Sequence, residues 1–239
     1  MTKISKRGFY EEDKRWFSKK SMEKLIKAQE EIIWLIDRQY KIEPVVTFVG
    51  DRYQFSTRQR DALKRATCST EKKILRESKL LSNDRIQEGP IYIDGFNLII
   101  TLEVALSYGT IILANDGNIR DLAGLRGTYK IIDKTYIALE LIGKFLNDCK
   151  AKEVKFFLDA PVSNSGNLKY KIIQCSQNWN FKTEVELVNN ADVILEKLDR
   201  VVSTDSAIID KCHSYFNISR FIIEKYIENK NLVDLSGNV

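Results

Sequence analysis

The chain has 239 residues, 44% of them hydrophobic and 10% aromatic, enough apolar material for one large domain or two modest ones, which excludes a disordered chain. Its formal net charge of +5 is unevenly divided: 21 Lys and Arg stand against 13 Asp and Glu up to Arg85, and 17 against 20 thereafter. A single histidine, His213, excludes a paired-histidine ribonuclease, and four scattered cysteines without C-x-x-C spacing exclude a zinc or dithiol redox motif.

The opening MTKISKRGFYEEDKRW is charged and lacks an apolar signal stretch, and no later run approaches the roughly 20 apolar residues that span a bilayer, so the expected location is cytoplasmic. From Ser21 to about Asp37, Leu25, Ala28, Ile32, Leu35 and Ile36 recur at the three- and four-residue spacing of an amphipathic helix. Pro44 marks a break. After the apolar run VVTFVG, Ser56 is placed to cap a second helix that carries Arg58, Arg60, Lys64 and Arg65. Two readings of this helix stand: a grip along an RNA phosphate backbone, where each neutralised phosphate releases counterions, or a solvated surface. The polar stretch from Thr70 to Gly89, closed by Gly89-Pro90, reads as the join between a basic, mainly helical domain (residues 1–85) and a second domain (residues 86–239).

Beyond the join the pattern changes. IYI leads into Asp94, IILA into Asn115-Asp116, VKFFL into Asp159 and VVST into Asp205, with helix-length segments such as Tyr136 to Cys149 between them. Short apolar strands alternating with helices predict an α/β fold with a parallel sheet, whose functional crevice lies outside the carboxyl ends of the strands. The closing NKNLVDLSGNV reads as a short final element or a frayed tail.

One aspartate after a strand usually caps a helix or starts a turn. Three at one edge are different: at about 5 Å and an effective dielectric near 20, each pair of charges repels by roughly 3 kcal/mol. If their strands are neighbours, Asp94, Asp159 and Asp205 call for a cation, and all-oxygen ligands suit Mg²⁺ or Mn²⁺, which can polarise a phosphate and activate a water. Gly95 permits a tight turn after Asp94, and Asn97 can hydrogen-bond the carboxylate or a substrate phosphate.

IYIDGFNLI resembles the opening strand and turn of PIN-like nucleases of the NYN and YacP-like group. VKFFLDAP, NNADVILEK and VVSTDSAIID resemble the later acidic positions of that fold in the same order, over about 150 residues. The resemblance implies a Rossmann-like PIN-type sheet flanked by helices. It also implies Mg²⁺ or Mn²⁺ held by Asp94, Asp159, Asp192 and Asp205, a metal-activated water attacking an RNA phosphodiester, and a homodimer as a partner state. Asp210 stands as an additional acid. Asp192 also reads as the start of a helix capped by Asn190 or by itself. The whole chain is similar to the prokaryotic domain of unknown function 434, through RQRDALKRA, NDGNIRDLAGLRG and LDAPVSNSG.

Other candidates keep two readings each. Arg120 either holds a phosphate while Asp116 or Asp121 completes the metal shell, or joins an aspartate in a local ion pair. Ser163 and Ser165 in SNSGNLK either cradle a phosphate at a helix start or form a plain turn. Trp16, Trp34 and Trp179 either stack on bases or anchor a core. His213 beside Cys212 is not read as a thiol centre, since adjacent residues point different ways. A haloacid-dehalogenase phosphatase fails because Phe96 stands where its second aspartate belongs, and a dinucleotide fold fails for want of G-x-G-x-x-G. The expected function is a metal-dependent ribonuclease of RNA processing or decay; the alternative is a non-catalytic RNA-binding or regulatory protein on the same scaffold.

Overall fold

A computed structural model of the chain describes residues 6–124 and 127–237; Leu125 and Arg126 of the AGLRG segment lie outside the described residues. The first part is helical: α1 (Asp13–Trp16), α2 (Lys19–Ile36), α3 (Ile42–Tyr53), α4 (Thr57–Ala66) and α5 (Thr70–Lys79). The predicted first helix is α2, whose Leu25, Ala28, Ile32 and Ile36 are all buried. Ser56 caps α4 in a reciprocal capping box with Gln59, as its position suggested. Two expectations change. Pro44 does not break the chain but sits in the first turn of α3, where a missing N–H removes no helical hydrogen bond, so VVTFVG is helical. The polar join contains α5 and a 3₁₀ helix (Asn83–Glu88) rather than a bare linker.

The α/β part runs β1 (Ile91–Asp94), α6 (Gly95–Leu106), β2 (Thr110–Leu113), β3 (Ile119–Asp121), α7 (Asp133–Asp148), β4 (Glu153–Asp159), α8 (Ser165–Ser176), β5 (Lys182–Val188), α9 (Ala191–Leu195), β6 (Val201–Val202), α10 (Ser206–Lys211), α11 (Ile218–Tyr226) and β7 (Asn231–Asp234). Four strands form the predicted parallel sheet in the order β5-β4-β1-β6. The IILA strand, β2, is not in it: it lies in a second sheet ordered β3-β2-β7, antiparallel to β3 and parallel to β7. The chain's closing segment is therefore a paired strand as far as Asp234.

Period-two alternation assigns each face of the parallel sheet. Ile91, Ile93, Val154, Phe156, Leu158 and Val202 enter the main core, while Phe157 and Val201 enter a smaller core with Leu195, Ile208 and Ile209 on the other side. Edge strand β5 is shielded from further pairing by exposed Lys182 and the charges of Glu184 and Glu186. The second sheet is likewise two-faced: Ile111, Leu113 and Ile119 join the main core, and Ile112, Ala114, Val233 and Leu235 share a core with α2, α3 and α4. The helical part thus covers the outer face of that sheet. At the join, Arg200 donates to the carbonyls of Arg85, Ile86, Gly89 and Pro90, tying the 3₁₀ helix to the approach to β6.

Helix α6 is buried along nearly its whole length and starts hard against β4. Gly95 serves a close approach rather than an unusual turn: a Cβ there would lie 2.5 Å from Leu158 Cδ2 and 3.2 Å from the Phe157 carbonyl. Gly95→Ala is expected to lower stability by about 1–3 kcal/mol, read as a lower urea midpoint at unchanged slope. An unchanged midpoint would mean that the start of α6 gives way freely.

Among the described residues no helix is long and apolar enough to cross a membrane.

Candidate functional site

The parallel sheet carries its acids along one edge. Asp159 ends β4, Asp94 ends the adjacent β1, and Asp205 follows β6 on the other side of β1. Asp192 opens α9, just after β5. The neighbour relation expected for Asp94, Asp159 and Asp205 therefore holds, and Asp192 joins them from the fourth strand.

Local structure fixes three of these carboxylates at helix starts. Asp94 Oδ1 accepts from the Asn97 N–H at 3.2 Å and caps α6; Asp205 Oδ1 accepts from the Ala207 N–H at 2.7 Å and caps α10. Asp159 Oδ1 accepts from the Ala191 N–H at 2.8 Å, tying the end of β4 to the first residue of α9. The ordinary role of a post-strand aspartate is thus present at Asp94 and Asp205, and these bonds engage one oxygen each of Asp159 and Asp205. Asn190, not Asp192, caps α9 through the Val193 N–H.

Asp94 is the most enclosed of the four. Ser203 Oγ donates to its Oδ2 at 2.9 Å and accepts in turn from the Asp205 N–H at 3.1 Å. Burial pushes the Asp94 carboxyl up to about 7, against the pull of the Asn97 N–H and Ser203 hydroxyl; Asp192 and Asp205 push it further in the same direction. Burial also raises Asp192, with Asp205 and Asp159 adding repulsion. Asp94 and Asp192 are thus each pushed up by neighbouring acids of the row. Among the described residues none of the four acids has a Lys or Arg within ion-pair distance, and Asp94, the buried one, differs in this from the buried Asp13, Glu103 and Asp116, which each have such a partner. The donors are hard oxygens of the type that Mg²⁺ or Mn²⁺ takes. Among the described residues, however, no group of three or more His, Cys, Asp or Glu side chains is gathered as a ready coordination sphere.

Other expected residues have different work. Arg120 does not face an open phosphate site: its guanidinium grips Asp116 at 2.9 and 2.6 Å and donates to the Thr204 carbonyl at 2.9 Å. Asp116 also receives Arg76 at 2.6 Å. Burial alone would raise Asp116, but Arg120 and Arg76 hold it well below the usual carboxylate range, so it is an ion-pair partner rather than a shell ligand. Its departure from the edge follows from β2 lying in the second sheet. Asp210 is paired with Arg76 and Lys72, and Asp121 accepts from Thr101 and the Ala123 N–H. Asn97 Oδ1 accepts from both the N–H and hydroxyl of Thr204 at 2.9 Å, so this oxygen joins the ends of β1 and β6 instead of meeting substrate.

Ser163 exchanges hydrogen bonds with the Tyr129 backbone, and Ser165 donates to the Ala160 carbonyl; both hydroxyls fasten the turn before α8. The basic face of α4 is largely spent internally. Arg58 grips Asp13 and the carbonyls of Gly8 and Leu122, Arg60 meets Asp51, and Lys64 meets Glu43; Arg65 remains exposed. Exposed lysines passed over in the sequence, Lys20, Lys24 and Lys27, recur on one face of α2 at spacings of four and three.

Trp179 packs against the main core and stacks on Phe181, and Trp16 stacks on Tyr10, whereas Trp34 is exposed beneath the Arg38 guanidinium. Cys212 is buried, with burial pushing its thiol up to about 11, and His213 is exposed, so the pair forms no thiol centre. Ser203 and Thr204 are the residues that sequence reasoning missed; the only signal was their place between a strand and an acid.

Residues 24–79 match the family described as a protein of unknown function (DUF434), and residues 83–221 match one described as a domain of unknown function (DUF5616). The likeness to domain 434 is thus carried by the helical part, and a second family covers most of the α/β part. An uncharacterized protein of Methanocaldococcus jannaschii is 35% identical over 183 residues, which cover 77% of this chain and 88% of that protein. No solved structure matches the chain. With more than half its length matched by one family and an archaeal relative aligned across most of both chains, the protein belongs to the domain of unknown function 5616 family.

Proposed function

We propose that this protein is a metal-dependent ribonuclease of PIN-like type. The observation that carries the reading is the row Asp192, Asp159, Asp94, Asp205 along the carboxyl edge of one parallel sheet, with no side-chain cation paired to any of them among the described residues. Asp94, Asp159 and Asp205, with Asp192, would hold Mg²⁺ or Mn²⁺. When bound, the ion supplies Lewis-acid polarisation of a phosphate and lowers the pKa of an attacking water. The chain's own contribution is orientation. Ser203 and the Asn97 N–H fix both oxygens of Asp94, and the backbone N–H bonds to Asp159 and Asp205 leave the second oxygen of each for the centre.

RNA as the substrate is supported by the exposed Lys20, Lys24 and Lys27 row on α2 and by exposed Arg65, which offer a sequence-independent hold on phosphates. A cytoplasmic place and a homodimer belong to the same proposal through the PIN-like resemblance.

The test is cleavage of labelled single-stranded and hairpin RNA with Mn²⁺, Mg²⁺ or EDTA. Metal-dependent cutting is expected, reduced by about 100-fold or more in Asp205→Asn. Tight RNA binding with no cutting under any metal would replace the nuclease with a binding or regulatory protein.

A further inference from the structure

The helical part reaches the acidic edge through a buried chain of ion pairs. On α5, Arg76 is only 2% exposed and bridges two acids: its Nη1 meets Asp116 Oδ2 at 2.6 Å, and its Nε and Nη2 meet Asp210 Oδ1 at 2.7 Å. Asp116 passes the constraint to Arg120, whose Nε holds the Thr204 carbonyl. Asp210 belongs to α10, and two more α5 residues act on that helix: Lys72 pairs with Asp210 at 2.6 Å, and Lys79 donates to the Ile209 and Asp210 carbonyls.

Asp205 lies between these two holds. Thr204 immediately before it has its carbonyl taken by Arg120, and its N–H and hydroxyl taken by Asn97. Helix α10 immediately after it is six residues long, too short to stand by its own hydrogen bonds. What keeps its direction is burial of Ile208 and Ile209 and the α5 cations at its far end. A planar guanidinium suits this bridging, since it offers several donors in fixed directions where an ammonium offers one mobile charge.

We infer that Arg76 is a positioning residue for Asp205, acting through Asp116–Arg120 on one side and Asp210 on the other. The helical part then completes the acidic centre itself, beyond any hold on substrate. The geometric claim stands on the ion-pair chain; its consequence for a metal rests on the reading proposed above.

The test uses the full chain and three variants. Arg76→Gln removes the bridge, Arg120→Lys keeps the charge facing Asp116 but loses the fork, and Ile32→Ala opens a cavity in the helical layer, outside the ion-pair chain. Amide hydrogen exchange is followed over residues 203–209, and Mn²⁺ binding is measured by calorimetry without RNA. Arg76→Gln and Arg120→Lys are expected to speed exchange in that segment and to weaken Mn²⁺ by about tenfold, the effect typical of residues that orient ligands. Ile32→Ala is expected to lower stability while leaving both within about twofold. Unchanged exchange in Arg76→Gln, or the same changes in Ile32→Ala, would overturn the inference. If Arg76→Gln does not fold, Arg120→Lys decides. Should the unaltered chain take up no Mn²⁺, the metal reading fails, and the exchange arm alone decides the positioning role.

Discussion

At pH 8 in EDTA, Asp94→Asn is expected to be more stable than the unaltered protein, by on the order of 4 kcal/mol. An unfolded aspartate titrates near 3.8, while burial raises Asp94 to about 7 in the folded chain. Between those values the folded state binds the extra proton. The stabilisation is therefore fully present below pH 3.8 and is lost as pH rises through 7, where the carboxylate must ionise inside the fold. The neutral amide avoids that step. Urea unfolding of the two proteins at pH 4 and pH 8 measures the difference; it should be small at pH 4 and large at pH 8, and a gap independent of pH would sink the account. Millimolar Mn²⁺ should close the gap at pH 8 by stabilising only the chain that retains Asp94, through ordinary binding linkage.

Asp116→Asn should act in the opposite direction and at every pH above the carboxylate range. Arg76, Arg120 and Asp116 are all at most 6% exposed, and the one carboxylate serves both guanidinium groups. Its removal leaves Arg120 buried with no carboxylate and Arg76 with Asp210 alone, a change that typically costs about 3–5 kcal/mol, or roughly 10 °C in melting temperature for a chain of this size. In the unaltered protein the Asp116 carboxyl is held well below its usual range, so this contribution is present above the unfolded pKa near 3.8 and disappears only as strong acid protonates the group. A melting shift of a degree or two would show that water reaches the arginines once the carboxylate is gone.

The strand-to-acid pattern was legible because parallel strands buried on both faces are short apolar runs, and the carboxyl ends of such strands share an edge. Asp94, Asp159 and Asp205 were placed by that logic alone. It failed for Asp116, because β2 is as apolar as the others and nothing in four buried residues declares which sheet they enter. Pairing with β7, more than a hundred residues later, decides it. The arginines failed for a related reason. Sequence shows a charge but not its partner, and Arg58 finds Asp13 from 45 positions away while Arg120 finds the Thr204 carbonyl from 84. The turn residues Ser203 and Thr204 showed only their place between a strand and an acid, because their work, holding Asp94 and accepting Arg120, exists only after β1 and β6 are side by side.

The last strand carries a consequence for how the protein is made. Val233 and Leu235 lie in the same core as Leu25, Ala28 and Ile32, and Gln29 donates to the Leu235 carbonyl across 206 positions. Helices α2, α3 and α4 therefore leave the ribosome well before β7, which supplies part of their apolar cover. Contacts so far apart in sequence make folding slow and leave the nascent helices with exposed apolar faces while most of the chain is synthesised. Cutting the chain after α11 should thus injure α2, α3 and α4 before the parallel sheet, so that these helices wait on a strand made long after them.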